Sequence, residues 1–120
     1  ALCAGIIDRI PLGVVVTDHV SRIVHVNDAY CEISGYRREE LIGRTPRILR
    51  SNRHPPEFHR RLLSSLSRSG RWHGKVWNRS KSGREYLGKL DIRRLPAGLP
   101  MGVGFVGILS DITEEHAHTE

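Results

Sequence analysis

The sequence predicts an α+β domain in which small helices cover one face of an antiparallel sheet. One observation behind this prediction is a β-branched segment at 13–18, followed by an alternating segment at 22–26. Another is a helical pattern after Pro55, in which Phe58, Leu62 and Leu66 recur at a spacing of four. The third is a long hairpin over 70–92, with a final strand at 103–109. Strands joined by short turns pair antiparallel, and the helices must bury their apolar sides against the sheet.

Length and composition narrow the class of protein. A chain of 120 residues can bury one core, so we expect a single domain, cut from a longer protein. The sequence has no apolar run of membrane-spanning length and no signal-peptide pattern. Cys3 and Cys31 have no metal-binding spacing, which favours a reducing, cytoplasmic location and no metal site.

The formal charge of +6 comes largely from arginines, many of them between positions 44 and 61. These arginines do not alternate with aromatic residues as in a single-strand binding platform, and no helix-turn-helix pattern is evident. Nucleic-acid-binding surfaces usually combine a basic patch with one of those features. We therefore interpret the arginines as a solvated surface and expect no direct nucleic-acid binding.

Residues 1–10 predict a short amphipathic helix, with Leu2, Ile6 and Ile10 on one stripe before Pro11. That stripe either packs on the domain's own sheet or forms a homodimer contact. We place the domain proper at 11–113 and the start of a linker to an output domain at 114–120.

The segments that follow the first strand pair predict two short helices and one long one. Asn27 or Asp28 is a good N-cap for a helix at 29–34, which Gly35 ends. A further turn is predicted at 37–43, and a long helix from Pro55 to Ser69. After the final strand, the segment from Asp111 predicts a helical exit.

Alternation along the hairpin separates its inner and outer faces. On the first arm Trp72, Gly74, Val76 and Asn78 share one face, and the charged positions between them indicate the solvent side. On the second arm the inner set is Tyr86, Gly88, Leu90 and Ile92. Asn78 is the one amide on an otherwise apolar inner wall, a pattern typical of small-ligand pockets. It would either orient a ligand or close the turn near Ser80 and Ser82.

The order and spacing of several motifs resemble a PAS domain over essentially the whole chain, close to sensory modules with a Trp-Asn-Arg-x-Lys-x-Gly hairpin. The motifs are Ile7-Asp8-Arg9-Ile10-Pro11-Leu12-Gly13, Val26-Asn27-Asp28-Ala29-Tyr30, Ile33-Ser34-Gly35-Tyr36, Glu40-Leu41-Ile42-Gly43-Arg44, Gly70-Arg71-Trp72-His73-Gly74, Trp77-Asn78-Arg79-Ser80-Lys81-Ser82-Gly83 and Asp111-Ile112-Thr113. The resemblance implies a PAS fold with a five-stranded antiparallel sheet, a sensory role in a larger bacterial regulator, and dimerisation.

The resemblance also bears on cofactors. Against the light-oxygen-voltage branch, Pro46 stands at the position of the adduct-forming cysteine. Asn78 matches the first flavin-binding asparagine, but Gly88 takes the second position and Leu109 that of the signalling glutamine. FAD or FMN would therefore lose two hydrogen-bond partners, each loss costing on the order of 1 to 3 kcal/mol. For haem, His59 is the one histidine considered as an axial ligand, and a surface position is favoured for it.

Three functions follow, none of them enzymatic, because the sequence has no nucleophile elbow, P-loop or zinc-protease motif. The leading hypothesis is a sensory module with an internal small-molecule pocket. The alternatives are a flavin redox sensor and a ligand-free dimerisation domain with a filled interior. The predicted ligand-binding residues are Thr17, Leu49, Leu62, Val76, Asn78, Tyr86, Leu90, Phe105 and Leu109.

Overall fold

The computed structural model describes residues 11–114. In chain order the elements are β1 (Gly13–Asp18), β2 (Ile23–Val26), α1 (Asp28–Ser34), α2 (Arg38–Leu41), a 3-10 helix (Pro46–Leu49), α3 (Pro56–Ser69), β3 (Arg71–Arg79), β4 (Glu85–Arg94), a 3-10 turn (Pro100–Gly102) and β5 (Val103–Asp111). The predicted flank at 1–10, with its apolar stripe and dimer contact, lies outside the described residues, as does most of the predicted linker.

The five strands form one antiparallel sheet in the order β2-β1-β5-β4-β3, which confirms the predicted sheet. The last strand of the chain is the central one, paired with β1 on one side and β4 on the other. Its glycines permit this close pairing: a Cβ on Gly104 would lie 2.9 Å from the backbone N of His19. The sheet therefore depends on the strand that leads directly to the exit of the domain.

Asn27 fixes the start of α1, as its N-cap pattern predicts. Its Oδ1 accepts hydrogen bonds from the backbone N–H of Tyr30 (3.0 Å) and of Val14 (2.8 Å). Its Nδ2 donates to the backbone O of Leu12 at 2.8 Å. One buried side chain thus caps the helix and ties it to β1, and Gly35 ends the helix in the left-handed region at φ 77°.

The helix α3 crosses the edge of the sheet formed by β3. It begins at Pro56, where a missing N–H breaks no helical hydrogen bond, and Gly70 ends it at φ 73°. The rings of Phe58 and Trp72 meet edge to face with centroids 5.7 Å apart, which fixes the helix against β3. The predicted long helix and its direct passage into the hairpin are confirmed.

The main core lies between the sheet and the two short helices. Its buried members are Val15, Ile23, Val26, Tyr30, Leu41, Leu49, Tyr86 and Leu109. The helices therefore cover one face of the sheet, as predicted from the sequence.

The outer face of the sheet differs from the prediction in one respect. Alternation along β4 predicts that Leu87, next to the inner residues Tyr86 and Gly88, faces solvent, yet it is buried on that outer face. The chain after β5 passes beside it: Thr113 Oγ1 accepts from Leu87 N–H at 3.0 Å, and Leu87 O accepts from Ile112 N–H at 2.9 Å. Correspondingly, Asp111 ends β5 instead of opening a helix, and helical structure begins at Thr113.

Candidate functional site

A cavity of about 690 Å³ lies between the inner face of the sheet, α3 and the 3-10 helix. This volume is typical of sites for small organic molecules. The wall is largely apolar in its interior, where Val15, Leu49 and Val76 contribute buried side chains. On the other side it includes the exposed Val20 and Leu63, so the cavity reaches the protein surface.

Eight of the nine predicted pocket residues line this cavity. They are Thr17, Leu49, Leu62, Val76, Asn78, Leu90, Phe105 and Leu109. The alternation of the strands accounts for most of this agreement, since every second side chain of β3, β4 and β5 faces the same side. Whether these side chains contact a ligand is a separate question from their position.

Tyr86 is the exception, because it does not line the cavity. It is on the predicted face but is fully buried in the main core, beside Tyr30 and Asn78. Burial raises the pKa of Tyr86 to about 12, and the neighbouring Asn78 amide offsets part of the rise. Within the described residues its hydroxyl lacks a partner at hydrogen-bond distance and angle. Tyr86 therefore lies on the predicted face of the sheet, in the part of that face that meets the main core.

Asn78 occupies the boundary between the cavity and the core. In the amide orientation that satisfies its surroundings, Nδ2 donates to the backbone O of Leu49 at 3.2 Å and to that of Trp77 at 3.3 Å. Neither Ser80 nor Ser82 takes part; their hydroxyls lie 2.9 Å from each other. Asn78 thus holds the 3-10 helix against β3, an arrangement that neither predicted role described.

Two of the three polar groups that the resemblance associates with flavin binding are missing, at Gly88 and Leu109, whereas the third is Asn78. Gly88 carries no side chain, and a Cβ there would lie 2.7 Å from Leu109 Cδ1. Leu109 therefore fills the space beside Gly88 with a methyl group, and the donors of Asn78 already bond to backbone carbonyls. A flavin ring edge placed here would bury polar atoms without partners, which is costly. The residues at these three positions therefore do not fit a flavin ring.

His59, the residue considered for haem, lies on α3 in the cavity wall and is half-buried. Burial lowers the pKa of His59, and the neighbouring Arg50 and His54 lower it further. The same side chain also borders a second, shallower hollow of about 460 Å³ on the outer side. This rim position, between two basic groups, gives no support for haem ligation. Across residues 11–114, no three His, Cys, Asp or Glu side chains are grouped to hold a metal ion.

The sequence analysis did not anticipate three arginines in the wall of this cavity, whose interior is largely apolar. Arg47 and Arg50 come from the segment around the 3-10 helix, and Arg94 from the end of β4. We interpreted the first two as part of a solvated patch, because composition alone does not show which arginines surround a hollow. Arg53 of the same patch does not line the cavity. Its Nε donates to Glu85 Oε1 at 3.3 Å, and its guanidinium carbon lies 3.9 Å from the centre of the Trp77 ring.

Comparison with known proteins decides the family. The family model for the PAS domain matches residues 11–114. The chain belongs to the PAS domain family. This match covers the entire sheet and all three helices that the structure describes.

Three similar proteins illustrate the range of this PAS family. The nitrogen fixation regulatory protein of Klebsiella oxytoca is 28% identical over 86 residues, which are 72% of this chain and 17% of that protein. A solved PAS domain from Colwellia psychrerythraea has a TM-score of 0.83 at 24% identity, covering 94% of this chain and 96% of that one. The LOV domain of a blue-light activated histidine kinase from Erythrobacter litoralis EL346 has a TM-score of 0.77 at 23% identity, with coverage of 88% and 99%. At these identities the two structures show the fold alone.

This PAS chain matches only about a sixth of the length of its Klebsiella relative. Between residues 11 and 114, no helix combines the length and apolar character needed to cross a membrane.

Proposed function

We propose that this PAS domain is a non-enzymatic sensory module of a larger bacterial regulator, and that its cavity binds a small molecule. The observation that carries this proposal is the cavity itself, whose apolar wall surrounds a volume suited to such a ligand. The cavity also supports this proposal over the ligand-free dimerisation alternative, which expects side chains to fill the interior. The similarity to a regulatory protein supports the sensory role.

The signal would leave the domain through β5. Phe105, Gly107 and Leu109 of this strand line the cavity, and the same strand ends at Asp111 beside the exit. The exit is held by the Ile112–Leu87 and Leu87–Thr113 hydrogen bonds. A ligand can signal only if it binds two arrangements of these groups unequally. The proposed response is a change in these two hydrogen bonds, passed to an output domain in the same chain.

The flavin alternative predicts a coloured protein, whereas this proposal predicts a colourless one. An absorption spectrum of the freshly purified domain separates them, because bound flavin or haem would give visible bands. We further propose a cytoplasmic setting and a homodimer, and light scattering with and without residues 1–10 tests the dimer. An unchanged mass after their removal would exclude that segment as the contact.

A thermal-shift screen of small apolar and amphipathic molecules tests ligand binding itself. Compounds that raise the melting temperature should also change the hydrogen exchange of the Ile112 N–H. Stabilising compounds that leave this exchange unaltered would contradict the proposed route through β5.

A further inference from the structure

The open side of the cavity carries positive charge on several elements. Arg47 lies in the 3-10 helix, Arg50 follows it and Arg94 ends β4. His59 of α3 joins them with a lowered pKa, so near neutral pH its ring is an uncharged hydrogen-bonding group. Arg47, Arg50 and His59 also border the second hollow. Arg60 and His54 join them there. The wall between the two hollows is therefore basic on both sides.

No carboxylate balances this charge within the described part of the chain, since neither hollow has an Asp or Glu in its wall. Glu57, two residues before His59, is exposed in the first turn of α3 and lines neither hollow. Asp18, next to the lining residues Thr17 and His19, accepts from the backbone N–H of Val20 (3.0 Å) and Arg22 (2.9 Å), and from Arg22 Nε (3.2 Å). Glu85 binds Arg53, and Asp91 lies against Arg71 and Arg93. Among residues 11–114, Arg47 and Arg50 take part in no ion pair.

Arg47 and Arg50 are close enough for their charges to interact. Both are exposed, and partial burial lowers the pKa of the Arg50 guanidinium, which the like charge of Arg47 lowers further. A carboxylate or phosphate placed between two neighbouring guanidinium groups would accept charge-assisted hydrogen bonds from them. Arg53, a few residues on, has such an anion in Glu85, whereas Arg47 and Arg50 do not.

Inward from this basic wall, the cavity becomes apolar. Leu49, which lies between the two arginines in the sequence, is buried. Val76 and Leu109 extend this apolar part of the wall. A bound molecule would therefore meet fixed positive charge at one end and hydrocarbon at the other. This gradient selects for molecules that combine an anionic group with an apolar body.

We propose that the cavity binds an amphipathic anion, with a carboxylate or phosphate head between Arg47, Arg50 and His59 and an apolar tail directed toward Leu49, Val76 and Leu109. This inference rests on the proposed ligand-binding function and specifies its chemical class. Guanidinium groups bind carboxylate and phosphate through paired charge-assisted hydrogen bonds, so either head suits the site.

Isothermal titration calorimetry with octanoate, octyl phosphate and the neutral 1-octanol tests the inference. The three probes share a tail and differ in the head. We expect at least one anionic probe to bind about tenfold or more tightly than 1-octanol, because a charged hydrogen-bond pair contributes that much. Added salt should weaken the anionic probe and leave 1-octanol unchanged. The preference between octanoate and octyl phosphate identifies the head group.

The matched variants are R47Q/R50Q and R61Q. Arg61 is exposed on α3 and borders neither hollow, so it changes net charge without changing the rim. R47Q/R50Q should reduce anionic binding to the level of 1-octanol, while R61Q should bind as the wild type does. The melting temperature of each variant verifies that it is folded.

The outcomes separate the two proposals. Binding of 1-octanol as tight as that of both anions, or anionic binding that R47Q/R50Q leaves intact, would overturn the anionic class and leave the ligand-binding function standing. Absence of binding by all three probes would overturn the ligand-binding function and this inference with it.

Discussion

The side-chain amide of Asn78 donates to the backbone O of Leu49 at 3.2 Å, joining β3 to the 3-10 helix that closes the cavity. A β-bridge between Asn78 and Arg50, the residue that follows the 3-10 helix, supports the same junction. Asn78 is thus a structural contact of the cavity wall, and its substitution should affect the wall before it affects any ligand.

The variant Asn78→Leu should destabilise the ligand-free domain by about 1 to 3 kcal/mol, because the Leu49 carbonyl loses its donor. Urea unfolding measures this difference. The exposed Asn52→Leu is the control and should unfold near the wild-type midpoint. Wild-type stability of Asn78→Leu, combined with weakened binding of a ligand, would instead return the amide to the role of a ligand contact.

Gly88 and Leu109 should be energetically coupled. Gly88→Ala places a Cβ 2.7 Å from Leu109 Cδ1, and overpacking of this kind costs about 1 to 3 kcal/mol. Leu109→Val removes the Cδ1 methyl that clashes. The free-energy cost of Gly88→Ala should therefore be smaller in the Leu109→Val background. A double-mutant cycle in urea measures the coupling. Strictly additive effects would show that the alanine finds room elsewhere.

His54 should make stability depend on pH below neutrality. Its Nε2 accepts from the Trp77 backbone N–H at 2.8 Å, which requires the neutral ring, and burial lowers the pKa of His54. The lowered pKa means that the folded state favours the neutral His54 ring. The contribution of His54 to the free energy of unfolding is therefore fully present above the ordinary pKa of 6.5, and it is lost as the pH falls through the folded-state pKa.

Unfolding measured from pH 7.5 down to pH 5 tests this effect; that range lies above the ordinary carboxyl values. His54→Gln should flatten the decline, whereas the exposed His73→Gln should leave it unchanged. Equal slopes for the wild type and His54→Gln would show that the Trp77 hydrogen bond does not govern the pH response.

The strands and the long helix could be predicted from the sequence because each follows a strong local rule. Alternation assigned the faces of β3 and β4, and proline and glycine marked the ends of α3. Tyr86 shows the limit of such rules. Periodicity places it on the inner face, but α1, through Tyr30, decides whether that face meets the core or the cavity.

The contacts made by the segment between Gly43 and Pro55 were beyond sequence reasoning. The sequence analysis considers Pro46 only as the residue at the adduct-cysteine position, whereas in the structure it begins the 3-10 helix that forms one wall of the cavity. The Asn78 and His54 hydrogen bonds that hold this segment join residues 23 or more positions apart. Such pairings follow from the assembled fold and leave no periodic pattern in the chain.

The most direct test of the central claim is a thermal-shift titration of the wild type and Leu62→Trp with octanoate and 1-octanol. Leu62 lies on α3 in the cavity wall, half-buried, so an indole there fills space that a ligand needs while leaving the arginines in place. The account predicts that at least one probe raises the melting temperature of the wild type and that neither raises that of Leu62→Trp. Equal increases in both proteins, or no increase in the wild type, would contradict binding in this cavity.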